Sequence, residues 1–176
     1  MRLVVVSAGH APASGTSRLG RLIAQEVVRQ RPGTTAEHLE VRTIATELVA
    51  ALTTGEDTVA VQQATRLVSA ADALVLLTPT INASFSGLLK CFLDALPRDA
   101  LRGVPTLMGA TGGTRRHTLV LDQSLRPMLA SLRAVVLPSV LFVTSGEWQD
   151  QEPGPELGRR VEASSRELIR FLALSG

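Results

Sequence analysis

Three short stretches of the chain collect small, hydroxyl-bearing and amide side chains in patterns that suit ligand binding. The first, SAGHAPASGTSRLG, spans residues 7–20 and follows the apolar run Leu3, Val4, Val5, Val6. A helix that starts within it exposes unpaired backbone N–H groups and a partial positive charge, which attract a phosphate without any lysine. Ser14, Thr16 and Ser17 add hydroxyl donors, Gly9 and Gly15 allow close backbone approach, and Arg18 supplies a fixed charge. The stretch lacks both the Lys of GxxxxGK[ST] and the spacing of GxGxxG, so it suits a monophosphate better than a triphosphate. The same residues also suit a plain helix cap, because Ser and Thr favour helix starts for that reason alone.

The second stretch, TPTINASFSG, covers residues 78–87. Pro79 fixes a turn, and Asn82, Ala83 and Ser84 are small or amide residues against which a flat ring can lie. In the third, ATGGTRRH at residues 110–117, Gly112 and Gly113 stand between Thr111 and Thr114 and leave backbone N–H groups free for ring carbonyls or nitrogens. One phosphate and one planar, amide-like ring system describe flavin mononucleotide, and that ligand is the expectation from the residues alone.

Loops of this kind need a scaffold that brings them together. Short apolar β-type runs alternate with stretches of helical period along the whole chain, the signature of a parallel sheet covered on both faces. The expected strands are residues 2–7, 36–42, 73–78, 105–111 and 135–143, and the expected helices are 17–31, 43–51, 57–71, 85–96, 118–132 and 156–173. The second strand, AEHLEV, alternates polar and apolar residues and reads as an edge. Five strands with the second at the edge predict an α/β, doubly wound parallel sheet in the order 2-1-3-4-5. Ligands of such sheets sit beyond the carboxyl ends of the strands, where the order reverses, and there the three loops meet. Asp57, Ser84 and Pro155 read as helix starts, Pro32-Gly33 and Pro97 as stops. Residues 145–156, SGEWQDQEPGPE, read as the longest irregular piece.

The chain has 176 residues, 45% of them hydrophobic, enough for one domain spanning 1–176 with a sizeable core. Eighteen basic and 16 acidic residues nearly balance, and no run of Lys or Arg suggests a nucleic-acid partner. A lone Cys91 forms no internal disulfide and the three histidines have no metal-ligand spacing, which points to a reduced, cytoplasmic setting with no metal. No stretch is long enough for a signal or membrane segment. Cys91, among Leu88, Leu89 and Phe92, reads as a core residue, and His117 as a helix-start or surface residue.

TPTINASFSGLLK followed by ATGGTRRHTLVLDQSLRPML resembles the NAD(P)H-dependent FMN reductase family of flavodoxin-like proteins, particularly those that supply reduced flavin to two-component monooxygenases. The resemblance runs from Val4 to about Val143. It implies a flavodoxin-like fold, FMN and NADH or NADPH as ligands, hydride transfer from nicotinamide C4 to flavin N5, and a homodimer or homotetramer. It also implies that Gly9, Ser14, Thr16, Ser17 and Arg18 form the phosphate loop. Pro79, Thr80, Ile81 and Asn82 would then form the ring loop, and Thr111, Gly112, Gly113 and Thr114 the pyrimidine-side loop. Hydride transfer between stacked rings needs orientation more than acid–base chemistry, so no catalytic side chain is expected. Two departures stand out. Many relatives open with Gly-Ser-x-Arg where this chain has Gly9-His10-Ala11-Pro12, and many carry Tyr where this chain has Ile81. With no Tyr anywhere and its single Trp148 in the irregular stretch, the chain is expected to hold FMN loosely, as a substrate. A flavin-binding module without turnover, and a quinone or azo reductase on the same fold, are the alternatives.

Overall fold

The structure, a computed structural model, describes residues 1–174. Five long strands form a parallel sheet: β1 (Arg2–Ser7), β2 (Thr35–Glu40), β3 (Ala73–Ile81), β5 (Pro105–Gly112) and β6 (Val135–Thr144). They lie in the order β2-β1-β3-β5-β6, which is the expected flavodoxin-like order. A two-residue strand, β4 (Ser84–Phe85), adds antiparallel to the end of β3, and β7 (Trp148–Gln149) pairs with β8 (Glu152–Pro153) in a small separate hairpin.

The central strands are apolar on both sides because both faces are covered. Leu3, Val5, Val75 and Leu77 point to one face, where they meet Leu19, Ile23 and Val27 of α1 (Gly15–Gln30) and Leu157, Val161 and Leu168 of α6 (Pro155–Leu174). Val4, Val6, Leu74 and Leu76 point to the other. That face is covered by α2 (Ala45–Thr54), α3 (Val59–Ser69), α4 (Gly87–Ala95) and α5 (Arg126–Ser131). Each fully buried Val or Leu contributes about 1.5–3 kcal/mol, so this double layer is the main source of stability.

Several local expectations are corrected. Residues 118–132 do not form one helix: a 3-10 turn at Arg115–His117 precedes a π-wound turn at Leu121–Leu125, and the α-helix proper begins at Arg126. The winding runs on without a gap, the Arg126 amide reaching back to the Leu121 carbonyl, and Pro127, which has no N–H to give, falls in the first turn of the α-helical part. Helix α2 starts and ends later than residues 43–51, behind a 3-10 turn at Val41–Ile44. The caps of α3 and α4 are Thr58 and Ser86 rather than Asp57 and Ser84. Strand β6 carries Pro138 where its register with β5 slips, Thr106 facing Val136 but Met108 facing Val140. At this bulge Arg126, held by Asp122 at 2.8 Å, donates to the Leu137 carbonyl at 2.9 Å. Cys91 is half-buried on α4 rather than in the core. No described helix is long and apolar enough to cross a membrane.

Candidate functional site

The first loop is shaped around a single tight contact. Ser14 caps α1 by accepting from the Ser17 amide at 3.0 Å, and a Cβ on Gly9 would lie only 2.0 Å from the Ser14 hydroxyl oxygen. Position 9 must therefore be glycine for the cap to sit where it does. The amides of Gly15 and Thr16 lie ahead of the intrahelical ladder, as the first amides of any helix do. Thr16 and Ser17 are both almost fully buried. Thr16 pairs with Thr111 at 2.7 Å and so ties the first loop to the third. Ser17 turns inward to Ser14 at 3.0 Å and to Ser7 at 3.2 Å. His10, exposed beside Gly9, pairs through Nε2 with Ser86 at 2.9 Å and clasps the loop to the start of α4.

In the second stretch β3 continues through Pro79 to Ile81 and returns as β4, so the expected loop is a hairpin. Pro79 lies beyond the end of β1 and pairs only with Thr111 of β5, so its missing N–H leaves no gap in the ladder. Thr78 closes the hairpin base by accepting from the Ser86 amide at 2.9 Å. Asn82 and Ala83 form the two-residue turn, both left-handed with φ of 47° and 61°. Ile81 and Asn82 are exposed there, beyond the cleft wall that Pro79 and Thr80 form.

Between the loops lies a cleft of about 430 Å³ at the carboxyl ends of the strands, a size within the range of small-molecule sites. Gly15, Arg18, Pro79, Thr80, Thr111, Gly112 and Gly113 line it, together with Val143, Thr144, Ser145 and Trp148. Six of the thirteen residues expected from the sequence thus share one wall, with Gly15 beside them. Gly9, Thr16 and Ser17 support that wall from behind and half-exposed Ser14 caps α1 beside it, whereas Thr114 caps the 3-10 turn by accepting from the Arg116 amide at 3.1 Å. The Thr80 hydroxyl is buried in the wall without a hydrogen-bond partner, which marks it for a ligand. A larger groove of about 620 Å³ runs between β2 and α3, but none of the three loops reaches it.

Trp148 is the residue that sequence reasoning misplaced. The segment 145–153 is ordered as a 3-10 turn and hairpin, and Trp148 lines the cleft with the Arg18 guanidinium over its ring, 5.1 Å from the centroid. Glu147 holds this hairpin in place. Its carboxylate accepts from the Thr144 amide at 2.8 Å and from Arg160 at 2.5 Å, and Arg115 donates to it at 3.2 Å. Burial raises the carboxyl pKa, but the amide and hydroxyl of Thr144 and the charges of Arg160 and Arg115 outweigh it and hold Glu147 below the ordinary carboxylate range. The only local signal in the sequence was the Thr144…Glu147 spacing of a capping box.

These residues fit a flavin mononucleotide. Open helix amides and Arg18 would suit a phosphate, and a slot of glycine, threonine and proline with one unpartnered hydroxyl would suit a polar ring edge. Among the described residues no group of His, Cys, Asp or Glu is placed to hold a metal ion.

Fold and cleft together define a flavodoxin-like α/β protein with a ligand-sized cleft where the strand order reverses. Comparison with known proteins places the chain further: a family described as NADPH-dependent FMN reductase matches residues 1–149, and the chain belongs to that family. It is 38% identical over 157 residues to the NADH-dependent FMN reductase SfnE of Pseudomonas putida, covering 85% of this chain and 80% of that one. An oxidoreductase from Corynebacterium diphtheriae has the same structure to a TM-score of 0.87 at 34% identity, over 98% of this chain and 97% of that one. The NADH:FMN oxidoreductase EMOB, in its apo form, aligns with a TM-score of 0.84 at 28% identity over 98% of this chain and 89% of that one.

Proposed function

We propose that the chain is a cytoplasmic NAD(P)H:FMN reductase that releases its reduced flavin to a partner flavin-dependent monooxygenase. The observation that carries this reading is the convergence of the three loops on one cleft whose wall contains an unpartnered hydroxyl. The phosphate is held at the Gly15 and Thr16 amides, beside Ser14 and Arg18, with Gly9, Thr16 and Ser17 keeping the loop in shape. The ring system lies against Pro79, Thr80, Thr111, Gly112 and Gly113, with Ile81, Asn82 and Thr114 at the rim. Bound flavin supplies the redox chemistry by accepting a hydride at N5 from nicotinamide C4. The protein's own part is orientation, and no side chain is needed as acid or base.

The family resemblance supports a homodimer or homotetramer. Leu89, Phe92, Leu93 and Leu96 of the α4 segment are spent on the sheet, but Ile81 and Leu119, on segments flanking the cleft, remain 37% and 58% exposed. Sedimentation mass tests the assembly. The function is tested by following NADH and NADPH consumption separately, with FMN, under air. Turnover with either nucleotide supports the reading. FMN binding without any consumption would replace it with a flavin-binding module that does not turn over.

A further inference from the structure

One titratable side chain near the phosphate loop has no part in the reading above. His38 sits on the edge strand β2, half-buried, with Nε2 at 2.9 Å from the Ser7 hydroxyl at the end of β1. Ser7, fully buried, reaches Ser17 at 3.2 Å, and Ser17 reaches Ser14 at 3.0 Å. A continuous file of three hydroxyls therefore runs from the histidine to the cap of α1. The ring fits only because residue 20 is glycine: a Cβ there would lie 3.0 Å from His38 Cε1 and 2.9 Å from Val5 Cγ1.

We propose that His38 is a positioning residue that sets the direction of this hydroxyl file and so prepares Ser14 to donate to the flavin phosphate. The proposal rests on the assignment of the phosphate to this loop. Each serine has one proton to give. In the structure Ser14 donates inward to Ser17. A phosphate is an acceptor only, so Ser14 must turn its proton outward to meet it. Ser17 then lacks that donor and accepts from Ser7 in its place, and Ser7 must in turn accept from His38 Nε2–H. Every hydroxyl rotates about its own Cβ–Oγ bond, and no proton leaves its oxygen. The half-exposed ring adopts the Nε2–H form by exchange with water. An opposing Nδ1–H tautomer would require Ser7 to donate to the ring and would leave the file aimed inward. The side chain thus acts on phosphate without touching it, through a chain in which one misdirected bond misdirects the rest.

The proposal is tested by titrating FMN and riboflavin, which differs from FMN by the phosphate, into the wild type, His38→Leu and His38→Gln. Loss of one oriented neutral hydrogen bond predicts about a three- to tenfold weaker FMN Kd for His38→Leu with riboflavin unchanged. His38→Gln, whose amide N–H can donate to Ser7, should recover most of the loss. Ring carbon and nitrogen shifts of His38 in the wild type give a readout that needs no variant: FMN should drive the ring to the Nε2–H form and riboflavin should not. If the wild type does not prefer FMN over riboflavin, the phosphate assignment fails, and the proposal fails with it. If that preference exists but survives His38→Leu, or the ring ignores FMN, the relay alone is overturned. Equal weakening of both flavins in His38→Leu overturns it as well, as the mark of a general packing defect.

Discussion

Gly9→Ala is the sharpest perturbation of the phosphate loop, because its consequence can be worked from two distances. The new Cβ would lie 2.0 Å from Ser14 Oγ and 2.6 Å from Ser14 Cβ, where ordinary contact begins at 3.4 Å. Ser14 is attached to the first turn of α1 and must retreat by about 1 Å or more to relieve the overlap. At present its oxygen makes a 3.0 Å bond from the Ser17 amide and a 3.0 Å bond to the Ser17 hydroxyl, and neither survives such a shift. Losing an N-cap costs about 0.5–2 kcal/mol and a neutral side-chain hydrogen bond about 0.5–1.5 kcal/mol, so the variant should lose about 2 kcal/mol of stability. With a urea slope of roughly 1–3 kcal/mol/M, the unfolding midpoint falls by about 1 M. FMN affinity should fall with it, because the displaced cap lies beside the open amides. Adding Ser14→Gly removes the atoms in conflict while glycine still serves as a fair cap, so the double variant should be less damaged than the two single effects added together. A Gly9→Ala protein with the wild-type midpoint and wild-type FMN affinity would refute the account of this loop.

Three further outcomes follow from the same geometry. Arg18→Ala should weaken FMN by roughly ten- to a hundredfold, the worth of one charged hydrogen bond, while riboflavin binds as before; paired titrations check it. Ala83→Gly should stabilise the protein by about 0.5–1 kcal/mol in urea unfolding, because Ala83 holds a left-handed φ of 61° that glycine adopts freely. Glu147 has its native pKa below the ordinary 4.5, so the hairpin gains stability above that value and loses it as the pH falls through the lower native pKa. Trp148 emission should therefore change in acid below about pH 4.5, and Glu147→Gln should abolish that transition.

The buried strands could be read from the sequence because nothing local competes with their pattern. Leu3–Val6 and Ala73–Leu77 are apolar on both faces, and only a central parallel strand uses such a run. The positions of the loops at the ends of β1 and β5 could be read for a related reason: each directly follows such a strand, so the strand's end fixes where the loop lies. The hairpin at Asn82-Ala83 was hidden because a two-residue turn usually announces itself with glycine in its second position, and this one uses alanine under strain. Trp148 was hidden for a different reason. It reaches Arg18 only because α6 packs beside α1 on one face of the sheet, and no periodicity within residues 145–156 carries that information. The break at Leu121–Leu125 turns on where a helix relaxes its winding ahead of Pro127, which the apolar spacing of residues 118–132 does not mark.

The clamp on Glu147 also bears on how fast the cleft fills. With its carboxylate fixed to Thr144 at one end of the segment and to Arg160 of α6, the hairpin that carries Trp148 is already assembled before any ligand arrives. On the proposed reading the backbone has little left to do: the Arg18 side chain would swing away from the indole, a rotamer change on the picosecond to nanosecond scale, beside the hydroxyl rotations at Ser14, Ser17 and Ser7. If the cleft is the flavin site, as proposed, flavin capture should be limited by diffusion and docking orientation rather than by gating, so residence time, not arrival, would govern how much flavin the protein holds.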